Sequence, residues 1–568
     1  MSAEGRLKLV LCWHMHQPQY REPAHCSYVL PWTYLHLIKD YVDMAAILEM
    51  IPDVRAVVNF SPVTLDQIDD YATQIRAYLR SGDALRDPLL AALAATPQTL
   101  DAEQYLTLVR ACLRVNRERL INRFPPYQRL ADLAATLLEH SDYMPYLSGQ
   151  FLADLLVWYH LAWMGETVRL RDARVKRLIE KGYGFTAQDR RTLLEVIGEL
   201  AGGVIERYRA LCAAGKIELS MTPYAHPIIP LMLNFNTARE AMPDVQLPHS
   251  THYPGGEERA RWHIQEGKAV FYRHFGIEPR GCWPAEGGVS PATLRLLNES
   301  GFTWAASGEK VLRNSLTRDD ALNGIAHTDW LYQPYQIDNL DIACFFRDDG
   351  LSDLIGFTYS KWHSDDAVNN LIWHLENIAA ACPDKSKTIV SIIMDGENAW
   401  EYYPDNAYHF LTALYKRLTD HARIELTTFS SYLNGLRSGP TARVENMVSG
   451  SWVYGTFSTW IGDPAKNRGW DMLCDAKHAF DAAVRTGLQG EALAAAQRQL
   501  AICEGSDWFW WFGDYNPAET VSDFEKLFRL HLSNLYRLIG AQPPDYLSQV
   551  ISRGTGAPPS GGVMRASN

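Results

Sequence analysis

The sequence predicts an α/β chain built as a parallel β/α barrel. Short β-branched and aliphatic runs, the length of buried strands, alternate with longer stretches of helical spacing. The runs stop at polar clusters, and in a parallel barrel the carboxyl ends of the strands are where chemistry collects. The stretch 388–404, TIVSIIMDGENAWEYYP, shows both features: Ile389-Val390-Ser391-Ile392-Ile393 gives way to Asp395-Gly396-Glu397. Gly396 lets the backbone turn between two carboxylates. Trp400, Tyr402 and Tyr403 follow at once. Acids beside an aromatic floor suit a sugar, whose C–H faces stack on rings while its hydroxyls bond to carboxylates.

A chain of 568 residues, 47% hydrophobic and 21% charged, is long enough for a large core and more than one domain. Its 17 Trp and 28 Tyr exceed ordinary use and suggest an extended stacking surface. The formal charge of −12 argues against a polyanionic partner such as nucleic acid and suits a neutral substrate. Nine cysteines are scattered singly with no CxxC, so neither a disulfide framework nor a zinc ribbon is indicated. The amino-terminal run is broken by His and Gln, and no apolar stretch is long enough to span a membrane. A cytoplasmic protein in a reducing compartment is expected.

In chain order, the run 7–13 is a first strand ending in His14-Met15-His16-Gln17-Pro18. Two histidines one residue apart on a strand point the same way. A metal pair fits that spacing; with no Asp or Glu in the motif, hydrogen bonding to a ligand is the favoured reading. A helix over 34–51 leads to a second strand, 54–60. From about 65 to 214 the pattern is helical and too long for a βα connection, so it reads as an insertion leaning over the barrel mouth. Trp158 and Tyr159 within it read as helical core.

The stretch 216–230, KIELSMTPYAHPIIP, is a third strand. Glu218 alternates with apolar neighbours there and needs a partner or a polar cleft; His226 is a candidate ligand-binding residue. The stretch 280–290, RGCWPAEGGVS, sets Trp283 three residues before Glu286, with Ser290 capping a helix. Further strands are 302–307 and 341–347, and Asp348-Asp349 reads as a polar strand end. The region 359–363 is a plausible outer wall and 424–429 a last short strand. The stretch 450–460, GSWVYGTFSTW, is dense in aromatics and hydroxyls without helical spacing, which suggests a loop reaching back to the cleft. The segment 507–514 holds five consecutive large aromatics, which cannot all share one helix face.

Five motifs in this order, HMHQP, KIELSMTPYAHPIIPL, GCWPAEGGVS, IIMDGENAWEYYP and GSWVYGTFSTWIGDP, together resemble glycoside hydrolase family 57, especially its amylopullulanase and α-amylase branch. The resemblance runs from about residue 7 to 471 and on into SDWFWWFGD. It implies an incomplete seven-stranded β/α barrel with a helical carboxyl-terminal region. The corresponding division is a catalytic barrel over 1–430 carrying the insertion, a loop and helical region over 431–550, and a disordered tail over 551–568. It implies a retaining hydrolase of α-1,4 glucosidic bonds, α-1,6 remaining open, acting on starch, glycogen or maltodextrin. The nucleophile falls on Glu286 and the acid/base on Asp395. His16, Glu218, Trp283 and Glu397 fall on ligands of the reacting sugar, and Asp463 is a softer match. His14, Gln17, His226, Trp400, Trp460 and Trp508 complete the expected substrate-binding set. No metal and no cofactor are implied. The alternatives are a 4-α-glucanotransferase or branching enzyme of the same family, or a non-catalytic α-glucan-binding protein.

Overall fold

The computed structural model describes residues 5–22, 26–95, 101–140, 148–318, 322, 325–382, 384–385, 387–436, 439–440, 442–556 and 564–566. The main sheet contains β1 (Leu7–Met15), β2 (Ala56–Phe60), β3 (Ile217–Met221), β4 (Gly281–Cys282), β5 (Trp304–Gly308), β6 (Tyr335–Ile337), β7 (Ala343–Arg347), β8 (Ile389–Asp395), β9 (Ile424–Leu426) and β10 (Ala442–Val444). Their order is β8–β1–β2–β3–β4–β5–β7–β6–β10, with β9 also on β1. Seven successive strands, β8 to β7 in this order, are parallel. The Asp348 N–H donates to the Ser391 carbonyl at 2.8 Å, which brings the end of β7 to β8.

The strands read as unbroken apolar runs because both sheet faces are buried. Val10 and Cys12 pack inward with Val57, Trp304, Phe345 and Ile393, while Leu9, Leu11 and Trp13 belong to the larger cluster under the helices. The two clusters therefore divide β1 with a period of two. Phe429 and Tyr432 join the inner cluster.

Helix α1 (Trp32–His36) precedes β2, and between β2 and β3 the described residues are mostly helical, from α2 (Pro62–Ser81) through α3 (Gly149–Trp163) to α4 (Ala187–Ala213). Trp158 and Tyr159 on α3 are buried core, as their spacing indicates. After β10 come α5 (Pro464–Arg485), α6 (Gly490–Cys503), α7 (Asp507–Trp511) and α8 (Ala518–Leu538). Among the described residues no helix is long and apolar enough to cross a membrane.

Part of the expected disordered tail is docked. The Thr555 and Gly556 N–H groups donate to the carbonyls of Asp514 and Asn516, and Arg565 donates to Asn516 Oδ1 at 2.8 Å. A Cβ on Gly556 would come within 1.9 Å of the Tyr515 carbonyl oxygen, so only glycine permits this approach. The remainder of that expectation, 557–563 and 567–568, lies outside the described residues.

Candidate functional site

A cavity of about 570 Å³ opens at the carboxyl ends of the strands, within the usual range for a small-molecule site. Asp395 is the last residue of β8 and pairs in register with His14 of β1. The Gly396 N–H donates to the His14 carbonyl at 2.7 Å, so the Asp395-Gly396-Glu397 turn is sewn to β1. Glu286 follows β4 on a tight turn and sits in the left-handed region at φ +57°. A bulky residue there carries strain, which its surroundings must hold. The Trp452 N–H donates to the Glu286 carbonyl at 3.0 Å, and Val289 bridges Gly450. The loop over 450–460 thus braces the turn. Trp452 Nε1 also donates to Glu286 Oε2 at 2.9 Å.

Beside the pair stands a stack of histidines. His16 and His226 rings lie 3.8 Å apart and 15° from parallel; His14 and His226 are 5.1 Å apart and 16° from parallel. Their ligand atoms come within 4.8 Å of one another, a spacing that a metal ion could bridge. The ring orientation does not serve one, because imidazole lone pairs lie in the ring plane and nearly parallel planes do not converge. The contacts are hydrogen bonds instead. His14 meets Asn59 Oδ1 at 2.7 Å and His226 Nε2 at 3.0 Å. His226 Nδ1 meets Ser506 Oγ at 2.8 Å, and His16 meets Ser61 Oγ at 2.7 Å and Asp507 Oδ1 at 2.8 Å. Every ring nitrogen of the three is engaged. All three rings line the cavity beside the Asp507 carboxylate, and His226 Nδ1 lies 3.9 Å from Glu286 Oε1.

Seven acidic residues line the cavity, and Glu286, Asp395, Glu397 and Asp507 are the ones coupled by charge. Burial first, and the charge of Asp395 second, push the Glu286 carboxyl well above the usual carboxylate range; the Trp452 hydrogen bond and Arg565 oppose this. Burial raises Asp395, against the hydrogen bond from Asn398 and the charges of His16 and Arg347. Glu397 is raised well above its usual range by burial and then by Asp395. Its Oε1 accepts from the His16 N–H, Gln17 Nε2 and Tyr41, while Oε2 has no partner. Burial pulls His14 down to about 3 and His226 well below the usual imidazole range, so both are neutral. Asp507 adds to the raised values of both Glu286 and Asp395.

Of the residues expected from sequence, Glu286, Asp395, His14, His16, Gln17, His226 and Glu397 meet at this cavity. Six do not line it. Glu218 is the second residue of β3, at the amino end, where it accepts from Trp304 Nε1 and from Ser430. Asp463 caps α5 by accepting from the Ala465 N–H. Trp283, Trp400, Trp460 and Trp508 are buried behind the wall. Trp283 packs edge-on against Trp452, Trp460 tilts against Trp510, and Trp400 Nε1 donates to the Gly396 carbonyl. Trp508 donates to the Ile502 carbonyl and packs against Phe524, Phe528 and His531. All four supply buried hydrophobic area; the indole N–H is satisfied in Trp400 and Trp508, whereas Nε1 of Trp283 and of Trp460 is buried with no hydrogen-bond partner among the described residues. The tryptophans that line the cavity are instead Trp452, Trp510, Trp511, Trp32 and Trp163. Trp452 and Asp507 stood inside motifs noted for their aromatics, yet nothing in the sequence separated them from their neighbours. The expected outer wall over 359–363 is not cavity lining, although Gly356 and Phe357 are.

The family model described as glycosyl hydrolase family 57 matches residues 10–447. No curated protein sequence matches the chain. Among solved structures, the chain is similar to a branching enzyme of Thermococcus kodakaraensis solved with glucose, at TM-score 0.60 and 16% identity over 94% of this chain and 90% of that one. It is similar to a branching enzyme of Pyrococcus horikoshii at 0.57 and 16%, over 94% and 89%. It is similar to an α-amylase of Thermotoga maritima at 0.56 and 12%, over 96% and 97%. At these identities the likeness is one of fold.

Proposed function

The chain belongs to glycosyl hydrolase family 57, and from that premise we propose that it is a retaining α-glucan hydrolase of the amylase or amylopullulanase type. Glu286 is its nucleophile and Asp395 its acid/base. The observation that carries this reading is the pairing of two carboxylates from separate strand ends on one cavity, with an indole N–H aimed at one of them. Glu286 attacks the anomeric carbon while Asp395 gives its proton to the departing glycosidic oxygen, leaving a glycosyl ester on Glu286. Asp395, now ionised, takes a proton from water, whose oxygen bonds the same carbon as the ester breaks. The pair must carry one proton between them at the start. Trp452 favours its absence from Glu286, since a hydrogen bond to the charged form stabilises that form. Gln17, Glu397 and Asp507 hold hydroxyls of the reacting sugar, and Trp510 and Trp511 supply stacking faces.

Incubation with maltoheptaose, and separately with pullulan, followed by chromatography tests the reading and separates α-1,4 from α-1,6 cleavage. Glu286→Gln and Asp395→Asn each should lose at least about a thousandfold in turnover with an unchanged Tm. Near-wild-type turnover in either variant removes that residue from the pair. Transfer of the glycosyl unit to a sugar hydroxyl is the second reading. It is favoured by the wall that the carboxyl-terminal region adds over the cavity, through Trp510, Trp511 and Glu519, because that wall limits the approach of water.

A further inference from the structure

His36 lines the cavity, and the double displacement does not use it. It ends α1 and enters a π turn, Leu37–Tyr41, a rare geometry that recurs at functional sites. His36 Nδ1 lies 2.7 Å from Asp40 Oδ2, and Lys39 Nζ donates to Asp40 Oδ1 at 2.6 Å. Asp40 is 0% exposed and Lys39 2%. A buried ion pair costs more to desolvate than it usually returns. Here half of its carboxylate serves one imidazole of the cavity wall. A carboxylate oxygen accepts, so Nδ1 donates to Asp40 and Nε2 is the ring nitrogen left to meet the cavity. Nε2 has no hydrogen-bond partner among the described residues, and the Trp163 ring meets the imidazole edge-on at 5.7 Å, fixing its plane.

The same turn is tied to the loop of the proton donor. Tyr41 donates to Glu397 Oε1 at 3.3 Å. Farther along that loop, Asn406 Oδ1 accepts from Lys39 Nζ at 3.1 Å, and Asn406 Nδ2 donates to Asp43 Oδ2 at 2.9 Å. Asp405, Asn406 and Ala407 all sit in the left-handed region, with φ of 53°, 53° and 58°. Three such residues in a row are unfavourable for L-amino acids and persist because the clamp holds them. His36 and Asp395 therefore hang on one braced unit. Asp395 marks the side of the cavity from which the leaving sugar departs and on which an incoming one arrives.

We infer that His36 is a binding residue for the sugar on the leaving and accepting side: its Nε2 accepts a hydrogen bond from a hydroxyl of that sugar and so favours glycosyl transfer to a sugar over loss to water. The inference rests on the retaining reading above. In the transfer, the acceptor hydroxyl gives its proton to Asp395, its oxygen bonds the anomeric carbon, and the ester to Glu286 breaks. His36 holds a different hydroxyl of the same sugar and exchanges no proton.

The test uses α-maltosyl fluoride as donor and added maltose as acceptor, with the full chain. Fluoride leaves without occupying a sugar site, so the glycosyl ester forms in the absence of an acceptor-side sugar. Chromatography then reads the partition between hydrolysis and elongation as acceptor concentration rises. In His36→Ala the acceptor concentration for half-maximal transfer should rise about tenfold, the worth of one good hydrogen bond. His36→Gln, which keeps an acceptor oxygen, should recover part of that loss. If the alanine variant does not fold, His36→Leu fills the volume without an acceptor and takes its place. A partition within twofold of wild type while the fluoride is still consumed overturns the role of His36 and leaves the retaining reading standing. Hydrolysis by the wild type with no transfer at any acceptor concentration overturns it too. A wild type that does not consume the fluoride overturns the retaining reading itself.

Discussion

One indole N–H decides much of the behaviour expected of Glu286. Trp452→Phe keeps the ring against Trp283 but removes the donor at 2.9 Å. Turnover should fall about a hundredfold, in line with the loss of one preorganised donor. The acidic limb of the kcat/KM profile should move to higher pH, because an unsupported carboxylate ionises later. Asp507→Asn should act in the opposite sense: Asp507 raises both Glu286 and Asp395, so both limbs should move to lower pH. These limbs report the coupled pair rather than either residue alone. A purely structural loss would lower turnover without moving them. Glu397 gives a stability signature. Its folded value is raised above the unfolded value of about 4.3, so the folded state binds its proton more tightly. The resulting cost is absent below the unfolded value and grows as pH rises through the folded one. Calorimetry should find Glu397→Gln higher in Tm than wild type at pH 8 and equal to it at pH 4. Dialysis against EDTA should leave turnover unchanged, because the nearly parallel rings of His14, His16 and His226 do not aim their lone pairs at one point.

At the level of elements, α7 separates packing from binding within five residues. Trp508 is 1% exposed and sealed by α8, whereas Trp510 and Trp511 face the cavity. Trp508→Ala should cost about 3–5 kcal/mol, the range for emptying a buried aromatic site. Its affinity for maltodextrins, among molecules still folded, should change equally for long and short chains. Trp510→Ala should leave Tm nearly unmoved and weaken binding of maltoheptaose more than of maltotriose, as titration calorimetry would show. The reverse pattern would return Trp508 to the cavity wall. The same helix shows how far sequence reading reached. The strands were legible because both sheet faces are buried, and their β-branched runs leave few other structures to form. The two carboxylates proposed for catalysis, Glu286 and Asp395, were legible because each ends or follows such a run beside a glycine. Which tryptophans face the cavity was not legible, since helical phase gives the direction of a ring but not what lies there. Glu218 marks a related limit: alternation along β3 fixes its face but not its height, and it stands at the amino end of the strand, off the cavity.

Across the whole molecule, the match to the family ends at residue 447, but the cavity does not. Trp452, Asp507, Trp510, Trp511 and Arg565 all stand beyond that point and line it. A chain ended after residue 447 should therefore show no turnover of maltoheptaose. It should also bind a hydrophobic dye, since Trp508, Phe509, Phe512 and Phe528 would no longer cover the face they bury. Measurable turnover by that shortened chain would show that the barrel alone suffices. The docked tail bears on handling as well. Arg565 lies over the rings of Trp510 and Tyr515, at 5.2 Å from each, on the wall of the cavity. A bulky label carried at residue 565 would therefore be tethered beside the mouth and would obstruct the entry of a polymer. Leu7, by contrast, opens β1 at the opposite end of the strands, so a label or surface attachment carried there keeps the entrance clear for a bulky polymer.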